Sequence, residues 1–204
     1  MDIGIINTGL GNIGSISRMI KKVEGRAIYV STTEQLESVP KIVLPGVGHF
    51  DEGMRALKAS GLIQPLLKRV CRDGIPLLGI CLGMQLLCRT SDEGSDHGLG
   101  LVDAKVKKFC FTPEQNLKVP HMGWNVVHSI RLNPLIPVNE EKQRFYFVHS
   151  YRVVPDESCI TIGTSNYGGD FCAAFQKENI FGVQFHPEKS HRFGMALIKR
   201  FLEL

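Results

Sequence analysis

Several features are scarce or missing in these 204 residues, and each absence narrows the field. No apolar stretch reaches the ~18 residues of a membrane span; the longest begins at Ile75 and is broken by glycines, so no membrane partner is expected. No five like charges stand in a row, the net charge is only +4, and the RNA-binding signatures are absent. Nucleic acid is therefore not the expected ligand. No charged leader followed by an apolar segment and a cleavage site opens the chain. The cysteines Cys71, Cys81, Cys88, Cys110, Cys159 and Cys172 include no pair two residues apart and no ligand spacing with histidine. That excludes a zinc site and a disulfide framework. The expectation is a cytoplasmic protein with reduced thiols, no metal and no cofactor.

What is present is ordinary globular composition, 43% hydrophobic and 22% charged, which rules out disorder, collagen and coiled coil. A chain of this length buries roughly 70% of the surface it would expose unfolded, enough for a real core. Without repeats, low-complexity segments or a linker, residues 1–204 read as a single domain.

The first 90 residues alternate short apolar runs with helix-length amphipathic segments. Ile3–Ile6, Ala27–Val30, Lys41–Leu44 and Ile75–Ile80 read as buried strands of a parallel sheet. Helices are expected to open near Asn12, after a Ser31 cap with Glu34 three residues on, and as a pair from Phe50 to Arg72. Thr90–Gly100 is polar and reads as a loop. Beyond it strand signals dominate, at Val102–Phe109, Phe145–Val154, Cys159–Ser165 and Ile180–Phe185, before a final helix from about Arg192 to Leu204. The fold class is α/β: doubly wound, with a mostly parallel sheet and antiparallel strands in the second half.

Gly9, Gly11 and Gly14 follow the first strand and match the dinucleotide fingerprint. Its confirming acidic residue is missing, because the second strand ends Val30, Ser31, Thr32, Thr33 with no carboxylate before Glu34. A tight turn facing a ligand or partner is the simpler reading.

The sharper signal is Gly79-Ile80-Cys81-Leu82-Gly83, a nucleophile elbow with cysteine in the serine position. A sharp strand-to-helix turn aims the central side chain out of the sheet, and flanking glycines let neighbouring backbone approach. The helix start favours a thiolate, and the Leu82 amide faces developing negative charge. The other five cysteines carry no such context, and burial as small apolar residues accounts for them. A cysteine nucleophile needs an oriented base. His186 ends the apolar strand Ile180–Phe185, and Glu188 two residues on is placed to orient its ring. Leu44-Pro45-Gly46-Val47-Gly48-His49 ends a strand in a glycine turn able to supply a second oxyanion donor from Val47 or Gly48.

Over nearly its whole length the chain resembles a class I glutamine amidotransferase, on the Pro45–Gly48 turn, the elbow continuing to Met84 and Gln85, and His186-Pro187-Glu188. The resemblance implies a triad of Cys81, His186 and Glu188 that hydrolyses glutamine to glutamate and ammonia through a glutamyl thioester. Gly11-Asn12-Ile13, Val119–Asn125, Phe147–Arg152 and Lys189-Ser190 resemble the family of glutaminase subunits of imidazole glycerol phosphate synthase. That likeness implies a separate (β/α)8-barrel cyclase partner, which uses the ammonia to make imidazole glycerol phosphate and AICAR in histidine biosynthesis. It implies Gly46, Gln85, His149, Ser150 and Tyr151 around bound glutamine, and Asn12, Tyr146 and Lys189 toward the partner or the ammonia route. It also makes the Val47–Gly48 segment a switch for the oxyanion hole.

Asn7, Thr8, the short loop around Asp96–Gly98 and the tail Ser190–Met195 depart from the commonest pattern of those subunits. They resemble a paralogous branch that supplies ammonia for amidine-bearing surface sugars. Two readings of other kinds stand beside these: a cysteine hydrolase acting alone, and a non-catalytic dinucleotide-binding module using Gly9–Gly14.

Overall fold

A computed structural model describes residues 1–138 and 142–204. Its first half runs β1 (Asp2–Ile6), α1 (Ile13–Lys22), β2 (Arg26–Val30), α2 (Thr33–Ser38), β3 (Ile42–Gly46), α3 (Phe50–Ala59), α4 (Ile63–Leu67), β4 (Leu77–Cys81) and α5 (Leu82–Leu86). The second half holds β5 (Thr90–Ser91), β6 (Ala104–Lys108), β7 (His121–Ser129), β8 (Gln143–His149), β9 (Tyr151–Pro155), β10 (Thr161–Asn166), β11 (Asp170–Lys177), β12 (Ile180–Val183) and α6 (His191–Glu203).

One twisted sheet carries both halves, in the order β2-β1-β3-β4-β12-β11-β10-β7-β8. The run from β2 to β12 is parallel, and from β12 onward the pairings are antiparallel. Alternation along the central strands sends Ile3, Ile5, Val43, Leu78 and Ile80 to one face, where α1 and α6 cover them with Ile16, Ile20, Leu197 and Phe201. Ile6, Ile42, Leu44 and Leu77 face the other way, against Leu36, Phe50, Leu57, Leu66 and Leu86 of α2 to α5. Burial on both faces is why the parallel strands read as continuous apolar runs rather than alternating ones.

The expected elements are present, with local shifts. The cap of α2 is Thr32, not Ser31, because Gln35 completes a capping box: its amide nitrogen donates to Thr32 Oγ1 at 3.3 Å, and its Oε1 accepts from Thr32 N at 3.2 Å. The Phe50–Arg72 pair is α3 and α4, with the latter relaxing into a wider turn over Lys68–Arg72. Phe145–Val154 is two strands, since the chain breaks at Ser150 to leave β8 and enter β9. Thr90–Ser91, expected in a loop, pairs with β6. Strands β7 and β11 are additional to the expected set, and β11 carries the apolar run Phe171–Phe175, buried throughout.

The central parallel strands end beside one another, so β3, β4 and β12 deliver Gly46, Cys81 and the Gln184–His186 segment to one edge of the sheet.

Candidate active site

At Cys81 the chain turns from β4 into α5 with φ 54° and ψ −111°, a conformation that L-residues avoid. The flanking glycines explain how so sharp a turn packs. A Cβ at Gly79 would stand 2.8 Å from Gly83 O and the Met84 backbone; one at Gly83 would stand 1.8 Å from Leu44 O. Gly46 completes the close approach, since its Cβ would sit 2.9 Å from Leu82 Cβ. The end of β3 therefore lies directly against the elbow. Helix α5 has only five residues, so the negative charge it can favour is served by its first-turn amides rather than by a long dipole.

His186 follows β12 and is 2% exposed. Its Nδ1 lies 2.8 Å from Glu188 Oε1, and both side chains are almost wholly buried. The backbone around it is clamped: His186 N donates to Tyr146 O at 2.9 Å, while Ser190 Oγ donates to His186 O at 2.6 Å and accepts from Tyr146 N at 3.0 Å. Nε2 is buried and has no hydrogen-bond partner among the described residues. Burial opposes a charge on this imidazole, but the Cys81 sulfur and the Glu188 carboxylate outweigh it and push its pKa up to about 10. The Cys81 sulfur and the Glu188 carboxylate thus favour the imidazolium form of His186.

Cys81 and His186 open onto a cavity of about 290 Å³ whose lining includes Val47, Gly48, Leu82, Gln85, Glu93, His149, Ser150 and Tyr151. Gly48 has φ 102°, and Val47 is 42% exposed, so the turn after β3 borders the cavity without being packed into the core. Of the residues expected to bind substrate, Gly46 lies beneath the elbow and the rest face the cavity. His149 does so with its ring already engaged. Nδ1 donates to Tyr151 O at 2.7 Å, and Nε2 accepts from His121 Nδ1 at 2.9 Å. His121 Nε2 in turn accepts from Asn125 Nδ2 at 3.2 Å. Burial pushes the pKa of His149 down to about 3 and that of His121 down to about 4, so both rings are neutral. What His149 offers a ligand is backbone, not imidazole.

Two residues of the site carried no sequence signal strong enough to mark them. Glu93 sits in the polar loop after β5, and its Oε2 accepts from Phe50 N at 2.9 Å. Asp51 anchors that loop by accepting from Ser95 N at 3.1 Å and Asp96 N at 3.0 Å. Gln184, fully buried, donates to Cys81 Sγ at 3.8 Å. The remaining expected residues lie elsewhere. Lys189 Nζ sits 5.4 Å over the Tyr146 ring, Trp124 packs on Tyr146 and His191, and Asn12 caps α1 through Ser15 N at 3.3 Å. Ser15, Arg18, Lys189 and His191 share a second hollow, which Glu188 also borders.

The other cysteines are not uniformly buried. Cys88 and Cys172 are, with thiol pKa values pushed upward by burial, whereas Cys71, Cys110 and Cys159 are exposed. In the Gly9–Gly14 loop a Cβ at Gly11 would touch Pro45 Cβ at 3.4 Å and Gly46 N at 3.5 Å, whereas nothing lies within 4 Å of one at Gly9. No helix among the described residues is long and apolar enough to cross a membrane.

A strained thiol, a buried imidazole held by a carboxylate, backbone amides and a polar cavity suit nucleophilic attack on a carbonyl or amide carbon. Comparison with known proteins is consistent with that chemistry. Residues 5–204 match the family described as glutamine amidotransferase class-I. "Imidazole glycerol phosphate synthase subunit HisH 2" of Methanococcus maripaludis is 48% identical over 98% of both chains. The protein of the same name in Pseudomonas aeruginosa is 45% identical over 99% of both. Among solved structures, PurLQS from Thermotoga maritima superposes with a TM-score of 0.75 at 17% identity, over 99% of this chain and 97% of that one. At that identity the likeness speaks to the fold.

Proposed function

The chain belongs to the class I glutamine amidotransferases, and we propose that it works as the glutaminase subunit of an imidazole glycerol phosphate synthase, with Cys81, His186 and Glu188 as its catalytic residues. The observation that carries the reading is the meeting of the strained Cys81 with the buried His186–Glu188 pair at one cavity.

In this mechanism Cys81 Sγ attacks the side-chain amide carbon of glutamine, and the carbonyl electrons move onto oxygen. The Leu82 amide and one from the Val47–Gly48 turn receive that oxyanion. His186 gives its proton to the amide nitrogen, ammonia leaves, and a glutamyl thioester remains. Water then attacks the thioester, His186 takes a proton from it, and glutamate departs. Glu188 keeps the ring oriented and offsets its charge. Glu93 and the Oε1 atom of Gln85 are the groups that suit the α-ammonium of glutamine. The Ser150–Tyr151 backbone suits the rest of the amino-acid moiety.

Ammonia released into water would be protonated and lost, so a partner that encloses it is needed. We assign that role to a (β/α)8-barrel cyclase that completes an imidazole ring in histidine biosynthesis, acting with this subunit in the cytoplasm. The group Trp124, Tyr146 and Lys189 supports such docking, because Lys189 and Trp124 pack on the Tyr146 ring and the Tyr146 carbonyl accepts from His186 N; Asn12 is assigned to the same face. In this reading Tyr146 and Lys189 gate the ammonia route. A second reading, a different ammonia acceptor with the same glutaminase chemistry, draws on Asn7, Thr8, the loop around Asp96–Gly98 and the tail Ser190–Met195.

Glutamate release from glutamine, with a matched histidine-pathway cyclase and its nucleotide ligand added or omitted, separates these readings. Strong stimulation that disappears in Cys81→Ser supports the histidine pathway. Absence of stimulation, with Cys81 still reactive toward an electrophilic glutamine analogue, supports the other acceptor.

A further inference from the structure

We propose that Gln184 is a further catalytic residue, whose fully buried side-chain amide donates to Cys81 Sγ at 3.8 Å and holds that sulfur as the thiolate. The inference rests on the reading of Cys81 as nucleophile.

The orientation of the amide follows from its neighbours. Gln85 Nε2 lies 3.3 Å from Tyr151 O, and a carbonyl oxygen only accepts, so that end of Gln85 is the nitrogen. The same Nε2 meets the Gln184 side chain at 3.0 Å, so the Gln184 atom there accepts and is Oε1. The NH₂ group of Gln184 is thereby left facing the sulfur. Tyr151 O also receives His149 Nδ1–H at 2.7 Å, which fixes the His149 tautomer and leaves its Nε2 to accept from His121 Nδ1 at 2.9 Å. Every member of this buried chain has its donor and acceptor ends determined, which is what a fixed dipole aimed at a reacting atom requires.

Among the described residues the sulfur also meets Val148 O at 4.0 Å, to which it donates as a thiol. A carbonyl dipole there favours the protonated form and repels the thiolate. Gln184 opposes it. Among the described residues His186, with Glu188 behind it, is the titratable group facing the sulfur, and its protonated form acts in the same sense as Gln184. Gln184 breaks and forms no covalent bond; it stabilises charge on sulfur before attack, and this interaction weakens as that charge passes to the oxyanion.

Such a role has a signature that loss of packing does not share. Removing a donor from a thiolate lowers its population about tenfold, the scale of one hydrogen bond to a charged group. The more basic sulfur is intrinsically about threefold more nucleophilic, because nucleophilicity follows basicity with a slope near 0.4–0.5. The two pH profiles of reactivity therefore cross.

The experiment measures the rate of Cys81 with a small aromatic disulfide from pH 5 to 10. All proteins carry Cys71→Ser, Cys110→Ser and Cys159→Ser, since those three thiols are exposed. Gln184→Met is expected to react about threefold more slowly on the acid limb and about threefold faster on the alkaline plateau, with the midpoint about one pH unit higher. Superposed profiles, or a uniform loss on both limbs, would overturn the proposal. Should Gln184→Met not fold, Gln184→Glu keeps the size and the acceptor for Gln85 but removes the amide donor. Its midpoint is expected to rise by more than one unit, and an unchanged midpoint again overturns the role. Failure of the native chain to be labelled at Cys81 by an electrophilic glutamine analogue is a separate result, which sinks the nucleophile reading itself.

Discussion

Replacing Gly83 with alanine sets two physical arguments against each other. Gly83 lies in helix α5, and on helix propensity alone alanine should stabilise it by about 1 kcal/mol. The packing argument has the opposite sign. The new Cβ would fall 1.8 Å from Leu44 O and 2.8 Å from Leu44 C, whereas real Cβ contacts essentially never fall below 3.0 Å. One of two backbone segments, the end of β3 or the elbow, must retreat by more than 1 Å, and neither is a flexible side-chain tip. Overpacking into backbone costs about 3 kcal/mol or more. At this chain length that is a fall in Tm of roughly 6–12 °C. Any retreat of β3 also carries Val47 and Gly48 away from Cys81, and a misplacement on the order of 1 Å costs about a hundredfold in kcat. Gly74→Ala is the control: φ is 69°, nothing stands within 4 Å, and only the backbone cost of about 1 kcal/mol applies. Thermal unfolding followed by circular dichroism, together with glutamate release, checks both. Gly83→Ala melting at or above the native temperature with full activity would refute the packing account of the elbow.

Three further outcomes are expected. Glu93→Gln keeps an acceptor for Phe50 N but removes the charge facing the cavity, so KM for glutamine should rise at least about tenfold while kcat changes by less than about threefold in steady-state assays. His121 and His149 have folded pKa values of about 4 and about 3, below the ordinary 6.5, so the unfolded chain binds more protons between these limits and stability falls as pH drops below 6.5. His121→Phe removes one such proton and should flatten the slope of stability against pH between 6 and 4.5 by about 1.4 kcal/mol per unit, measured by urea unfolding. Lys189→Ala removes the cation over Tyr146 and should weaken cyclase binding about tenfold in calorimetry, leaving Cys81 reactive in the isolated chain.

The parallel half of the fold was legible because burial on both faces writes unbroken apolar runs, and glycine-bounded turns separate them. The elbow was legible for a related reason: a residue type with no side chain is required on both sides of Cys81, and chance rarely places it there. His186 and Glu188 lie close in sequence and were readable as a pair. Glu93 and Gln184 were not. Glu93 reaches the cavity only because Asp51, more than forty positions earlier, pins the loop that carries it. Gln184 looks like any residue of an apolar strand until the pairing of β4 with β12 brings it beside the sulfur. The role of His149 needed the same kind of information, since its ring is occupied by a histidine from the neighbouring strand. Contacts across the sheet are tertiary facts, and local pattern does not encode them.

The central claim is that Cys81 attacks the side-chain amide carbon of glutamine. Its most direct test is covalent labelling by an electrophilic glutamine analogue, with the adduct located by peptide mass spectrometry. The account predicts one adduct per chain, on Cys81, prevented by excess glutamine and missing in Cys81→Ser. An unlabelled Cys81, or labelling confined to the exposed Cys71, Cys110 and Cys159 and indifferent to glutamine, would contradict it.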